Sequence, residues 1–538
     1  MPDLPGCVAK GRTRVSASGS ATGSLTADHT LSGLSFNHAD AMAAATGAVL
    51  LSEGALNVRA LSMTPTTMEP TPPTPSLAGV GSLQSPARRA VLGTAGGLAT
   101  MLGWPGLASA DSASLLSALA SGLRPALPAG KLVDQSVRVS AARLDQLVAR
   151  TYPDFNDPAV LPAFDPARSG ARHDVELHRL VAPFVIPETG EAVTLSGLLA
   201  LPVGATGPLP VVSWQHGTVL TFDGVPSNML KLADPTFVMS YPADSAETLF
   251  NVHRFAGQGY AVIAADYVGK GPFRNGRGEA YGVRDVTVGT CLRMLEAGYT
   301  TLRAMGIEAG PLFLNGWSQG GLNSQWLAQE LRRRKIAVAA TSVSSPFNEL
   351  TETLRFWSGA QTYPVPEGAA SFPAAPDWLS LCMIVLLGSY ELNYGLKGLM
   401  QHAVAPPFRD MAANFWRTYD MRFDPAKPFP SGSTLLVPRF FDSFTHETNS
   451  AFLRQIARNS ATYWHYDSPI RFHIGLADEG IHPTVARRAI AAGGALATEV
   501  TVAGASHRAT FMASLYGEPR HLAGQTNTLA WFDSLRRG

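Results

Sequence analysis

Cysteine is scarce in this chain, which contains only Cys7, Cys291 and Cys382 among 538 residues. So few cysteines exclude a disulfide-rich scaffold, and their wide spacing excludes the paired arrangement that is typical of zinc sites. Cys291 falls in a predicted helix and Cys382 in an apolar run, so we expect both to be buried free thiols. A single disulfide between these two residues is the alternative. No metal site is expected.

An excess of charge of either sign is also missing. The sequence has 42 basic and 41 acidic residues, for a formal net charge of +1. This balance gives no electrostatic reason to expect a nucleic acid or an anionic membrane as a partner. Charged residues make up 15% of the chain and apolar residues 46%, a balance that suits a large buried core. We therefore expect one large domain with additions.

Apolar periodicity is absent from the first part of the chain. Residues 1–84 are rich in Ser, Thr, Ala, Gly and Pro, which predicts a disordered extension. Residues 85–110 resemble a twin-arginine signal peptide, because Arg88 and Arg89 precede a mildly hydrophobic stretch and an Ala-Ser-Ala sequence. The sequence therefore predicts an exported protein, periplasmic or secreted, with no integral membrane span in its mature chain. A retained membrane anchor is the alternative.

Signals of this type normally lie close to the start of translation. Because more than eighty residues precede Arg88, we expect translation to begin at Met63 or Met68. The mature chain is then expected to begin near Asp111.

Strand-like and helical segments alternate through most of the remaining sequence. Residues 171–347 and 466–538 show this alternation, which predicts an α/β fold with a mostly parallel central sheet and helices on both faces. Residues 111–170 are expected to form an N-terminal arm. Residues 348–465 interrupt the alternation with apolar and amphipathic helices, so they are predicted to be an insertion.

A serine motif stands at one strand-to-helix junction. The sequence Gly316-Trp317-Ser318-Gln319-Gly320 follows an apolar strand and precedes a helix-forming stretch. A tight turn that raises a serine oxygen above a sheet leaves no room for side chains at the two flanking positions, which explains both glycines. The alternative is a chance match in a glycine-rich loop. The flanking strand and helix favour Ser318 as a catalytic nucleophile.

Two polar residues near the end of the chain complete a triad in the order that this scaffold uses. Asp478 and His507 each follow a predicted strand, at the edge where parallel sheets place their sites. We predict that Asp478 orients His507 and that His507 activates Ser318. The alternatives are a turn role for Asp478, with Glu479 as the acid, and a surface position for His507.

An oxyanion needs two convergent backbone amides. The amide of Gln319 is the first candidate, and the amide of Thr218 is the second, with Gly217 as its alternative. The adjacent His216 is predicted to support this loop, and a role as a second base is the alternative. His473 and His482 flank Asp478 and suggest a metal, but their places in a strand and at a helix start favour packing. No cofactor is expected.

These motifs together resemble the α/β-hydrolase superfamily. The resemblance is carried by residues 215–218, 259–271 and 316–321 with the Asp478 and His507 tail, and it covers roughly residues 172–347 and 467–538. Within the superfamily the chain is similar to the secretory lipase family of extracellular lipases and esterases. That likeness implies a helical cap, formed here by residues 348–465, over an acyl pocket. The insertion has no motif that aligns, so substrate details do not transfer.

The sequence thus predicts an exported serine hydrolase that cleaves carboxylic esters through an acyl-enzyme on Ser318. Small-molecule, lipid or polyester esters are the expected substrates, because the insertion is rich in Phe, Trp and Leu. Packing of these residues in the core is the alternative. A serine peptidase of the same fold is one alternative, and a non-catalytic ligand-binding protein on a hydrolase scaffold is another. The oligomeric state does not follow from the sequence.

Overall fold

The computed structural model describes residues 112–240, 243–420, 429–442 and 446–536. All of these residues fall within one compact unit. The expected disordered extension, the twin-arginine signal, the two candidate start residues and Cys7 lie outside the described residues.

Nine strands form a single sheet in the described part of the chain, in the order β1-β2-β3-β5-β4-β6-β7-β8-β9. Their bounds are β1 Val133–Val139, β2 Val175–Val185, β3 Ala192–Pro202, β4 Leu209–Gln215, β5 Ala261–Ala265, β6 Ala309–Trp317, β7 Ala340–Ser344, β8 Ile470–Gly475 and β9 Ala497–Val502. The strands from β4 to β9 run parallel to one another, whereas β1, β2 and β3 pair antiparallel and β3 pairs antiparallel with β5. The predicted mostly parallel sheet is therefore confirmed.

Helices flank the sheet. Their bounds in the described residues are α1 Ser112–Ala120, α2 Ala141–Thr151, α3 Pro166–Ser169, α4 Ala246–Arg254, α5 Arg284–Ala304, α6 Gln319–Arg333, α7 Leu350–Trp357, α8 Leu379–Asn393, α9 Leu399–Ala403, α10 Arg409–Thr418, α11 Gly432–Leu435, α12 Glu447–Arg458, α13 Pro483–Gly493, α14 His507–Tyr516 and α15 Thr528–Arg536. Short 3₁₀ turns cover residues 152–154, 226–233, 256–258, 406–408 and 519–521.

The apolar core is divided into two clusters by the sheet. Val211 belongs to one cluster and its neighbour Val212 to the other. Successive residues of a strand point to opposite faces, so the two clusters lie on opposite faces of the sheet. Helix α5 contributes to the first cluster, and helices α4 and α14 contribute to the second. The predicted layering, with helices on both faces, is also confirmed.

The segment before β2 joins the sheet as well as packing on it. Strand β1 pairs with β2 at the edge of the sheet, an element that the sequence did not predict. Helix α2 packs against α4, where Asp145 accepts a hydrogen bond of 2.9 Å from the ring of the buried His253. Further along, Phe155 contacts the ring of Trp317 at a centroid distance of 5.9 Å. This segment therefore supports the back of the serine turn.

Between β7 and β8 the chain makes an insertion that contains helices α7 to α12. We call residues 345–469 the β7–β8 insertion. Helix α8 is buried along almost its whole length, which explains the apolar run at residues 381–387. Cys382 in this helix and Cys291 in α5 are buried free thiols, so the alternative of a disulfide between them is wrong. In the described residues, none of the helices combines the length and apolarity that a membrane span requires.

Candidate active site

Ser318 occupies the sharp turn between β6 and α6. Its backbone angles are φ 56° and ψ −119°, which place a non-glycine residue at positive φ. Such a conformation is strained and persists only where the surroundings impose it. The Ser318 amide donates a hydrogen bond of 2.9 Å to the carbonyl of Ser344 at the end of β7. The serine is thereby held at the carboxyl edge of the sheet.

Steric contacts explain why glycine occupies both flanking positions of the motif. A Cβ atom at Gly316 would collide with the carbonyl of Gly320, and one at Gly320 would collide with the carbonyl of Gln215. Each obstacle is backbone, which has little freedom to move aside. Only hydrogen fits at these two positions while the turn keeps its shape.

Asp478 and His507 meet at the same edge, after β8 and β9. The Nδ1 atom of His507 lies 2.8 Å from Oδ1 of Asp478. That oxygen also accepts hydrogen bonds from the amides of Gly480 at 3.0 Å and Ile481 at 2.8 Å. A carboxylate only accepts hydrogen bonds, so the proton of the imidazole sits on Nδ1 and leaves Nε2 as the basic nitrogen.

The neighbouring Glu479 has a different contact. Its Oε2 atom accepts a hydrogen bond of 3.0 Å from the backbone amide of His507. Glu479 therefore holds the main chain at the start of α14, while Asp478 holds the ring. The two adjacent acids are distinguished by geometry that their sequence positions do not reveal.

Electrostatics favours the charged form of His507. Burial opposes protonation, but the charge and hydrogen bond of Asp478, with a smaller contribution from Glu479, outweigh it and raise the pKa of His507. The histidine is thus a stronger base than a free imidazole. Trp317 connects it to the serine turn, because its indole Nε1 donates a hydrogen bond of 3.2 Å to the carbonyl of His507. The structure therefore brings the serine turn and the Asp478–His507 pair together.

The loop after β4 contains the two predicted candidates for the second oxyanion amide, Gly217 and Thr218. The Gly217 amide donates a hydrogen bond of 2.6 Å to Oε2 of Glu247, so it is already occupied. Among the described residues, neither the Thr218 amide nor the Gln319 amide has a hydrogen-bond acceptor. Gln319 begins α6, and the first amides of a helix have no partner within the helix. The amides of Thr218 and Gln319 therefore stay the predicted candidates for binding an oxyanion.

His216 lies beneath this loop. Its Nδ1 atom is 2.8 Å from the carbonyl of Gly217, and its ring stacks on Tyr267 at a centroid distance of 4.1 Å. Burial lowers the pKa of His216 to about 4. This histidine is a neutral structural group and has no contact that would make it a second base.

Glu247, at the start of α4, is a functional candidate that sequence reasoning missed. It is 5% exposed, and burial raises the pKa of its carboxyl group to about 8, although the Gly217 amide and His507 act in the opposite direction. In the sequence it resembles any acid in the first turn of a helix. Only the fold reveals that it contacts the loop after β4.

The two histidines near Asp478 serve in packing. Burial lowers the pKa of His473 to about 3 and that of His482 to about 4. The His482 ring lies 4.9 Å from the ring of Tyr363 and 4.4 Å from that of Phe372. Within the described ranges there is no group of three or more His, Cys, Asp or Glu side chains able to hold a metal ion.

The site is nearly closed to solvent. Ser318 is 8% exposed, Asp478 2% and His507 6%. Two surface cavities of about 460 and 510 Å³ occur in the described part of the chain, and both lie elsewhere. The first is within the β7–β8 insertion, and the second lies between residues 152–169 and the C-terminal helices.

Comparison with known proteins supports the architecture. No protein-family model matches the sequence, and no curated protein matches it, so membership of the secretory lipase family stays a prediction. A solved structure from Legionella pneumophila, provisionally described as a hydrolase, is 14% identical with a TM-score of 0.58, over 76% of this chain and 99% of its own. The rice cell wall degrading esterase LipA from Xanthomonas oryzae is 19% identical with a TM-score of 0.54, over 72% of this chain and 95% of its own. This chain therefore has the α/β-hydrolase fold that its motifs predicted.

Proposed function

We propose that the protein is a serine hydrolase that cleaves carboxylic esters. The hydrogen bond of 2.8 Å between His507 and Asp478 carries this proposal, because it lies at the same sheet edge as the strained turn of Ser318. A binding protein would need neither the strained serine nor the paired acid and base. Similarity in fold to an esterase agrees with this function.

The proposed reaction begins with the serine. His507 accepts the proton of the Ser318 hydroxyl as Oγ attacks the ester carbonyl carbon, and Asp478 stabilises the imidazolium that forms. The amides of Gln319 and Thr218 bind the negative charge that develops on the carbonyl oxygen. His507 then gives its proton to the leaving alcohol, which leaves an acyl group on Ser318. A water molecule activated by His507 releases the acid and regenerates the serine.

The surroundings of the site favour an apolar substrate. Trp357 of the β7–β8 insertion donates a hydrogen bond of 2.6 Å to the carbonyl of Gly480, beside the triad acid. The ring of Phe347 lies 5.7 Å from that of Trp357. Aromatic groups thus lie close to the triad acid, which suits esters with hydrophobic acyl or alcohol parts. The twin-arginine resemblance supports export, so we propose a periplasmic or secreted location.

The function is tested by ester turnover. The purified protein is expected to hydrolyse p-nitrophenyl esters, with a preference among acyl chain lengths, and to leave peptide anilides intact. Ser318→Ala should abolish turnover, and a fluorophosphonate should label Ser318 covalently, as read by peptide mass spectrometry. Undiminished turnover by Ser318→Ala would refute the mechanism, and faster cleavage of anilides than of esters would favour a peptidase. N-terminal sequencing of the exported protein should find a start near Asp111.

A further inference from the structure

Lys270 is a buried cation that the proposed reaction does not use. Its side chain is 2% exposed, and its Nζ atom donates to three acceptors. These are the carbonyl of Val219 at 2.7 Å, the carbonyl of Thr221 at 2.9 Å and Oε2 of Glu279 at 2.7 Å. An ammonium group has three N–H donors, whereas a neutral amine has two. The three acceptors are therefore matched to the charged form of the lysine.

Two of these acceptors belong to the loop that follows β4. Val219 is adjacent to Thr218, whose amide is a proposed oxyanion donor. Thr221 lies three residues after Thr218. The hydroxyl of Thr218 is also bonded to the hydroxyl of Tyr281 at 2.8 Å. Lys270 thus fixes the main chain on the C-terminal side of this amide, and Glu247 fixes it on the N-terminal side through Gly217.

The lysine is itself held from the other side. The ring of Tyr419, at the end of α10 in the β7–β8 insertion, has its centroid 4.0 Å from Nζ. A hydroxyl hydrogen bond of 3.0 Å from Ser389 in α8 fixes the carbonyl of Glu279. Stability alone gives little reason for such an arrangement, because buried ion pairs are often replaced by apolar groups at no cost. The hydrogen bonds from Lys270 to the loop after β4 provide a reason for a buried lysine at this position.

We propose that Lys270 is a positioning residue for the oxyanion site. It holds residues 218–221 so that the Thr218 amide faces the oxygen that becomes negative in the transition state. This inference rests on the proposed ester hydrolase function and deepens it.

Lys270→Met tests this positioning role, because the substitution should change kcat much more than KM. Loss of an oxyanion donor lowers kcat by roughly a hundredfold to a thousandfold, so a displaced donor should lower it by about tenfold to a hundredfold. KM should change by less than about threefold, because the contact is made in the transition state and not in the ground state. Labelling of Ser318 by a fluorophosphonate should slow in parallel with kcat, because its phosphoryl oxygen also occupies the oxyanion site.

A double variant separates positioning from stability. Lys270→Met alone leaves the Glu279 carboxylate buried without its partner, which is expected to lower Tm. The double variant Lys270→Met with Glu279→Gln removes both charges, so it should regain much of the lost Tm and keep the low kcat. If the double variant has wild-type kcat and labelling rate, the inference is wrong.

The chain offers a matched control in a second buried ion pair. Arg293 contacts Glu296 at 2.7 Å and the carbonyl of Pro125 at 2.6 Å, and it has no contact with the loop after β4. Arg293→Met should lower Tm and leave kcat within about twofold of wild type. A fall in kcat equal to that of the Lys270 variant would show that any buried cation has the same effect and would overturn the proposal. Ser318→Ala distinguishes the two hypotheses, because its full activity would refute the proposed function itself.

Discussion

Glu247→Gln is expected to change how the stability of the protein depends on pH. Burial is the main cause that raises the pKa of Glu247 from 4.5 to about 8. The folded protein therefore keeps this proton through neutral pH, whereas the unfolded chain loses it above pH 4.5. Glutamine has no proton to lose, and its amide oxygen is still able to accept the hydrogen bond from Gly217.

The direction and size of this change in the free energy of unfolding follow from proton linkage. Between the two pKa values the unfolded state binds fewer protons, so stability falls as pH rises, by about 1.4 kcal/mol per pH unit. From pH 5 to pH 8 the wild type should lose roughly 3 to 4 kcal/mol through this group, because its pKa is about 8 in the folded protein. The decline should end as pH passes the folded pKa. The free energy of unfolding of Glu247→Gln should therefore rise relative to the wild type over this range.

Urea unfolding at several pH values measures the difference. Glu308→Gln provides a control for the substitution itself, because Glu308 is exposed and lies away from the loop after β4. If the curve for Glu247→Gln also runs parallel to the wild type, the carboxyl group is ionised in the folded protein and the reasoning fails. All other titrating groups are shared with the wild type, so their contributions cancel in the difference between the two free energies of unfolding.

Three other predictions concern the triad and its turn. Asp478→Asn should lower kcat for p-nitrophenyl esters by roughly a thousandfold or more, since the imidazole loses the carboxylate that fixes its tautomer; turnover close to wild type would exclude Asp478 as the acid. The acid limb of kcat/KM against pH should lie above 6.5, because the raised pKa of His507 keeps this base protonated and inactive below that limb; a limb below 6.5 would contradict the stated effect of Asp478. Gly320→Ala should lower Tm and ester turnover together, because its Cβ meets the Gln215 carbonyl; a melting curve and specific activity equal to wild type would show that the turn has room for a methyl group.

The parts of the fold that sequence predicted well are those with a regular apolar pattern. The sequence predicts strands over residues 174–184 and 192–201, because both segments alternate and are separated by a turn sequence, and β2 and β3 lie within one residue of these bounds. A helix is likewise predicted near residues 283–305, and α5 covers Arg284–Ala304. Strand β1 was missed because its middle residues, Asp134, Gln135 and Ser136, are polar on both faces. Helices α4, α7 and α12 were not predicted individually, although helices were expected within residues 348–465.

For the site, the order of the residues along the chain allowed their positions to be predicted, but their contacts could not be predicted. The strand-end positions of Asp478 and His507 predicted that the two would lie at one edge, and they are in hydrogen-bond contact. The choice between Gly217 and Thr218 depended on Glu247, which is thirty residues away in the chain. No local pattern encodes a contact of that kind. The role of Lys270 could not be predicted from the sequence either, because most of its acceptors are main-chain carbonyls, which any residue type provides.

Strand β1 has a further consequence for the behaviour of the protein in concentrated solution. An outer strand offers free main-chain groups on which a neighbouring molecule is able to add a strand of its own. Here that outer strand is short and carries exposed charge, with Arg138 and Asp134 paired to Asp174 and Arg179 of the adjoining segment. Docking of a foreign strand would require these ions to lose water, so this border of the molecule resists aggregation by strand exchange.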